Sequence, residues 1–169
     1  MNFREDFKRI FTPGYVLILV IATAVVLWFN LNVASLAVVW GPSMQPTLRT
    51  GNLLLADRLS QEYERFDIVI VELPDQKIIK RVIALPGETV QIKKGYVYID
   101  GELLEDVVDG PMEFAGIVFD PVTLGEGEYF VLGDNRQNSM DSRDREVGII
   151  QQEQIVARVM CSIIPIKDL

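Results

Sequence analysis

The chain contains no histidine. That one absence removes the Ser-His-Asp triad, the Cys-His dyad, every His-ligated zinc site and any imidazole general base. Catalysis, if present, falls to Ser, Lys, Asp, Glu, Tyr or the single cysteine, Cys161. One cysteine cannot close an internal disulfide, so the sequence carries no signature of its redox compartment. An excess of basic charge is missing too. Sixteen Lys and Arg against 24 Asp and Glu leave a formal charge of −8, which repels a phosphate backbone and argues against a nucleic-acid partner. At 169 residues there is room for one ordinary domain and a tail or anchor, not for a second enzymatic domain. Internal repeats and low-complexity tracts are absent.

Charge is also absent from one long stretch, with no Asp, Glu, Lys or Arg between Arg9 and Arg49. Tyr15 to Phe29 is apolar except for Thr23, and continuing through Leu31 to Ala37 exceeds the ~20 residues a helix needs to span a hydrocarbon core. Trp28 and Trp40 suit the interfaces. The organisation expected is therefore a cytoplasmic tail at 1–11, one transmembrane helix at 12–36 and an extracytoplasmic domain at 37–169. Arg4, Lys8 and Arg9 outweigh Glu5 and Asp6 and favour a cytoplasmic N-terminus. The remaining 13 basic and 22 acidic residues give the outer part a charge of −9. A cleavable signal peptide ending at the small residues Ser35-Leu36-Ala37 is the competing reading. A buried helix of a soluble core fits less well, because no polar face recurs at helical spacing.

After Leu53 the pattern changes to short β-branched runs at 53–56, 67–72, 77–85, 88–92, 96–99, 117–119, 129–132 and 155–164. Pro74-Asp75, Pro86-Gly87, Lys94-Gly95, Asp100-Gly101, Gly110-Pro111 and Gly133-Asp134 punctuate them, and Asp100-Gly101 is the best tight hairpin. The fold class expected is mainly β, with 101–128 as a loop or variable insertion.

A serine hydrolase without histidine needs another base, and a lysine held neutral is the usual substitute. Of six lysines only Lys80 is embedded in apolar sequence, and strand alternation puts it on a face with Ile78, Val82 and Ala84 while Arg81 points away. A lysine snorkelling from an edge strand to water is the plain alternative. Among six serines Ser43 stands out, within Gly41-Pro42-Ser43-Met44-Gln45-Pro46-Thr47-Leu48. Glycine and two prolines there permit close backbone approach and an oxyanion hole, or simply make a rigid juxtamembrane turn. A third segment, Gly133 to Arg143, is dense in short polar residues. It is a solvated loop, or it brings Ser139 to orient the lysine with Asp134 or Asp141 paired to Arg143.

Taken together and in this order, the anchor, GPSMQPTL, RFDIVIVE, KRVIALPGE and GDNRQNSMDSR resemble the bacterial type I signal peptidases, membrane-bound Ser/Lys proteases. The resemblance implies a fold of coiled antiparallel sheets after one N-terminal transmembrane helix. It implies Ser43 as nucleophile, Lys80 as general base, Ser139 as the hydroxyl positioning Lys80, and Asp141 with Arg143 as a supporting ion pair. Asp134, Asn135, Arg136 and Arg81 match positions with structural roles. The substrates implied are signal-peptide-bearing preproteins, cut at the outer surface of a bacterial-type plasma or internal energy-transducing membrane, in contact with the lipid bilayer and without metal or other cofactor. Small residues at the first and third positions before the cut would lie in shallow pockets lined by Val39, Met44, Leu48 and Ile79. One departure stands out: Gly41 occupies the position where many members carry the Ser or Thr whose hydroxyl stabilises the oxyanion together with the Ser43 backbone. A self-cleaving Ser/Lys repressor-type protease and a non-catalytic membrane-anchored β domain are the rival readings. The apolar run and the acidic balance count against the first.

Overall fold

The computed structural model of the protein describes residues 12–108 and 110–168. The expected tail at 1–11 lies outside the described residues. Helix α1 covers Pro13–Asn32. Thr12 accepts the Tyr15 N–H at its start, and Pro13 occupies a first turn where a missing N–H costs nothing. The one polar side chain of the apolar run, Thr23, donates to the Leu19 carbonyl at 2.8 Å. Apolar side chains from Tyr15 to Trp28 are exposed around the helix. Among the described residues no helix is long and apolar enough to cross a membrane. The helix expected over 12–36 stops at Asn32, because Ala34–Val38 form strand β1, paired antiparallel along its whole length with β2 (Leu53–Asp57).

The rest is mainly β. Strands β3 (Ile68–Glu72) and β4 (Lys77–Ala84) form a hairpin closed by Pro74-Asp75, with reciprocal backbone bonds between Leu73 and Gln76. β5 (Thr89–Lys93), β6 (Tyr96–Ile99), β7 (Glu102–Leu103) and β8 (Val122–Thr123) make a separate four-stranded sheet in the order β7-β6-β5-β8. Its two tight turns, Lys94-Gly95 and Asp100-Gly101, both have positive φ at both residues, the geometry that matches strand twist in a two-residue hairpin. β9 (Glu128–Leu132), β10 (Ile150–Gln151), β11 (Ile155–Ile164) and β12 (Lys167–Asp168) complete a sheet ordered β1-β2-β11-β3-β4-β9-β10, with β12 hydrogen-bonded to β11.

The central strand explains the layering. β3 reads Ile-Val-Ile-Val without alternation because both of its faces are covered. Val69 and Val71 join one cluster with Tyr63, Ile78, Val82 and Tyr129, while Ile68 and Ile70 join another with Val39, Met44, Leu48, Leu54 and Ala56. A third cluster, built on Ile83, Ala84, Phe130 and Leu132, joins the large sheet to the small one. The alternation expected through Ala84 therefore ends at Val82, where a register shift against β9 turns the strand from one cluster to the next. The strand expected at 117–119 is instead a short 3-10 turn at Gly116–Val118, which hands the Ile117 N–H to the Arg143 carbonyl and buries Val118. The segment 101–128 is more than a loop: it supplies β7, β8, buried Met112 and an acidic partner for Arg136 described below.

Candidate active site

The β1–β2 connection carries Ser43. Its ends are tied by Val39 and Asn52 and by Gly51 and Val39, and its middle is pinned by Met44 and Leu48, both buried. With those two apolar anchors below, Ser43 is left half-buried at the surface of the cluster. The loop after β9 holds the same turn from the other side. Asn135 donates its backbone N–H to the Ser43 carbonyl at 2.9 Å and its side-chain amide to the Pro42 carbonyl at 3.2 Å. Gly133 lies so close that a Cβ there would stand 2.5 Å from the Ser43 carbonyl oxygen and 2.1 Å from Ser139 Oγ. Only glycine fits between them.

Lys80 comes from β4, opposite Val69 of β3. It is 3% exposed, and its Nζ donates to Ser43 Oγ at 2.9 Å. Burial lowers the amine from its ordinary 10.5 to about 8, against the pull of the Asp141 and Asp134 carboxylates and with some help from Arg143. Both carboxylates are themselves neutralised. Asp141 binds Arg143 through two contacts of 2.8 and 2.9 Å and accepts the Gly133 N–H at 3.0 Å. Asp134 binds Arg81 through 2.8 and 2.7 Å contacts, while Arg81 also donates to the Phe66 carbonyl. Paired this way, the two acids hold the loop and leave Lys80 without an ion-pair partner of its own among the described residues, so desolvation prevails.

Ser43 and Lys80 open into a cleft of about 300 Å³ between the end of β1 and the start of β4. Val39, Met44 and Ile79 are among the residues that line it, together with Val38, Trp40, Gln76, Lys77, Ile78 and Met140. Leu48 does not: it is fully buried beneath the Ser43 turn and belongs to the core. β9 joins β4 only from Arg81 onward, so the side of β4 before Arg81 has no strand partner among the described residues.

The family model described as signal peptidase, peptidase S26, matches residues 13–164. A signal peptidase I of Bacillus caldolyticus is 35% identical over 172 aligned residues, covering 92% of this chain and 91% of that protein. Signal peptidase I V of Bacillus subtilis (strain 168) is 40% identical, with 69% of this chain and 77% of that protein covered. The chain belongs to the signal peptidase family. It is accordingly a hydrolase, a serine endopeptidase. A crystal structure of a signal peptidase I from Enterococcus faecalis V583 is 32% identical, covers 57% of this chain and 96% of that one, and superposes with a TM-score of 0.46.

Against the signal peptidase pattern, most site residues converge and one contact is missing. Ser43 and Lys80 meet, Asp141 pairs with Arg143 and not with another base, and Asp134 pairs with Arg81. The expected hydrogen bond from Ser139 to Lys80 is not formed: Ser139 Oγ is buried without a hydrogen-bond partner among the described residues, wedged against Gly133. Gly41 has φ +87°, a backbone conformation in which Ser or Thr would be strained. Its carbonyl accepts the Thr50 hydroxyl at 3.2 Å. The Ser43 N–H has no acceptor among the described residues.

Three contributors were not foreseen in the sequence. Gly133 stood out only as turn punctuation, although its place before Asp134 at a strand end was the available signal. Asp106 pairs with Arg136, whose Nε also donates to the Gly133 carbonyl, so the 101–128 segment braces the site loop. Met140 is 40% exposed and lines the cleft. Cys161 lies in β11 as a partly buried free thiol, opposite Leu55 of β2.

Proposed function

We propose that the chain removes N-terminal signal peptides from exported preproteins by acyl transfer to Ser43, with Lys80 as the general base. The observation that carries this reading is the 2.9 Å contact between Lys80 Nζ and Ser43 Oγ in a cleft where burial brings the amine to about 8. Neutral Lys80 takes the Ser43 hydroxyl proton as Oγ attacks the scissile carbonyl carbon. The tetrahedral oxyanion accepts the Ser43 N–H, replacing part of what a neighbouring hydroxyl supplies elsewhere. Collapse breaks the C–N bond, and the Lys80 ammonium returns its proton to the leaving amine, the new N-terminus of the exported protein. Water then gives a proton to Lys80 as its oxygen attacks the acyl carbon; the ester C–O bond breaks, the Lys80 ammonium returns that proton to Ser43 Oγ, and the signal peptide leaves as a carboxylic acid that ionises in water.

The unpartnered side of β4 before Arg81, facing Val38 to Trp40 across the cleft, suits an extended peptide added as a strand. Its floor of Val39, Met44 and Ile79 suits small apolar side chains. We place α1, with the uncharged run around it, in the bilayer as a single-pass anchor whose N-terminus is cytoplasmic. β1 follows the helix after a single residue, so the cleft stands at the extracytoplasmic surface, where the cut end of a membrane-inserted signal peptide emerges.

The test is cleavage, in detergent at about pH 8, of a preprotein whose signal ends Ala-x-Ala, by wild type, Ser43→Ala and Lys80→Ala, with sequencing of the product N-terminus. Wild type cutting after the last Ala and neither variant cutting supports the reading. Equal cutting by the Lys80 variant removes it as base. No cutting by any folded protein favours a non-catalytic binding domain.

A further inference from the structure

Met140 is the one residue of the 133–143 loop that the cleft shares with Ser43 and Lys80. Its neighbours are held hard. Ser139 is pressed against Gly133, and Asp141 is fully buried in its pair with Arg143, with the Gly133 N–H as a third contact. A methionine between two such fixed points has a settled backbone, yet the residue is 40% exposed and belongs to none of the three apolar clusters. Core packing does not account for it. What its side chain meets is the cleft wall beside the reacting pair.

The direction of the cleft says which part of a substrate meets that wall. β1 leaves α1 at Ala34 and reaches Ser43 by way of Val38 and Trp40, so the lined stretch from Val38 to Trp40 and from Gln76 to Lys80 lies on the approach from the helix. A substrate whose apolar segment is in the same bilayer as α1 presents to this stretch the residues before its scissile bond. Resting on the reading of the chain as a signal-peptide-cleaving Ser/Lys enzyme, we propose that the Met140 side chain is a specificity-determining wall, narrowing the space beside Ser43 so that only a small side chain fits at the residue whose carbonyl is attacked.

Size exclusion of this kind is strong, because one methylene in a close-fitting pocket is worth about 10–200-fold in kcat/KM. Shortening the wall removes three side-chain heavy atoms and leaves the loop anchors untouched. Met140→Ala is therefore expected to relax selection, while Met140→Leu, of similar volume, keeps it.

The experiment uses the full chain in detergent and a set of preproteins that differ only at the residue before the cut (Ala, Val or Leu), with a matched set varied only at the residue after it. The quantity read is the kcat/KM ratio of Val to Ala for wild type, Met140→Ala and Met140→Leu. The expected result is a rise of about tenfold or more in that ratio for Met140→Ala before the cut, no comparable change after it, and a wild-type ratio for Met140→Leu. A partly unfolded variant would lose activity on both substrates alike and leave the ratio unmoved. An unchanged ratio with wild type active on Ala-x-Ala overturns the proposal, and a change confined to the residue after the cut overturns its placement. If wild type cuts none of the substrates, the catalytic reading itself fails, a result distinct from either.

Discussion

If Lys80 is the base, proton concentration is the perturbation that reaches it without altering a single contact. Its amine sits at about 8 because burial disfavours the ammonium more strongly than Asp141 and Asp134 restore it. At pH 7 roughly one molecule in ten then carries a neutral amine, whereas a lysine at its ordinary value would be neutral in roughly one in three thousand, so the site gains about 300-fold in active form. The sign follows directly: protonation removes the base, so kcat/KM rises about tenfold per pH unit up to about pH 8 and then levels. The assay is initial-rate cleavage in detergent from about pH 6 to 10, with a substrate that has no group titrating in that range and with a check of folding at each pH. A limb centred near 10, or a flat profile, would refute the argument, the first because Lys80 would be solvated and the second because no amine would be needed.

Holding this lysine neutral has a cost in stability. Its folded-state value lies below the unfolded one, so the unfolded chain binds the extra proton and the penalty is fully present below about pH 8, fading as pH rises towards 10.5. Lys80→Met should be inactive yet more stable at pH 7, by about 1–3 kcal/mol in urea unfolding, with the difference shrinking between about pH 8 and 10.5. Gly133→Ala puts a Cβ 2.5 Å from the Ser43 carbonyl and should lose most activity, whereas Gly125→Ala, which meets only the movable Glu128 carboxylate at 3.3 Å, should cost little; cleavage rates of the two folded variants decide it. Asp134→Ala leaves Arg81 buried without its carboxylate, and a loss of about 3–5 kcal/mol in unfolding free energy is expected.

What could be seen in the sequence was whatever announces itself locally. Lys80 stood alone among apolar neighbours, and the largely buried β3–β4 hairpin around it is what makes that pattern. Asp100-Gly101 named its own turn, since both residues take the positive φ that such a hairpin requires. The end of the helix was hidden, because Leu36 and Val38 are exposed apolar residues on an edge strand and read like a continuation of the membrane run. The role of 101–128 was hidden for a different reason. Asp106 and Arg136 are 30 positions apart, and no periodicity links an acid in a turn to the arginine that needs it. Gly133 and Met140 share that difficulty: their importance comes from what the fold brings beside them, Ser43 in one case and the cleft in the other. The Ser139 contact was one reading of the polar segment and was implied by the resemblance, and the side chain instead points its hydroxyl at no acceptor or donor among the described residues.

The central claim is that Ser43 attacks and Lys80 activates it, and covalent trapping tests it most directly. Wild type, Lys80→Met and Ser43→Ala are treated at about pH 8 with a serine-acylating β-lactam, and the adduct is mapped by mass spectrometry. The account predicts a single acyl group on the peptide containing Ser43 in wild type, and none in either variant while both remain folded. Acylation of a different serine, or undiminished acylation of Ser43 without Lys80, would contradict it.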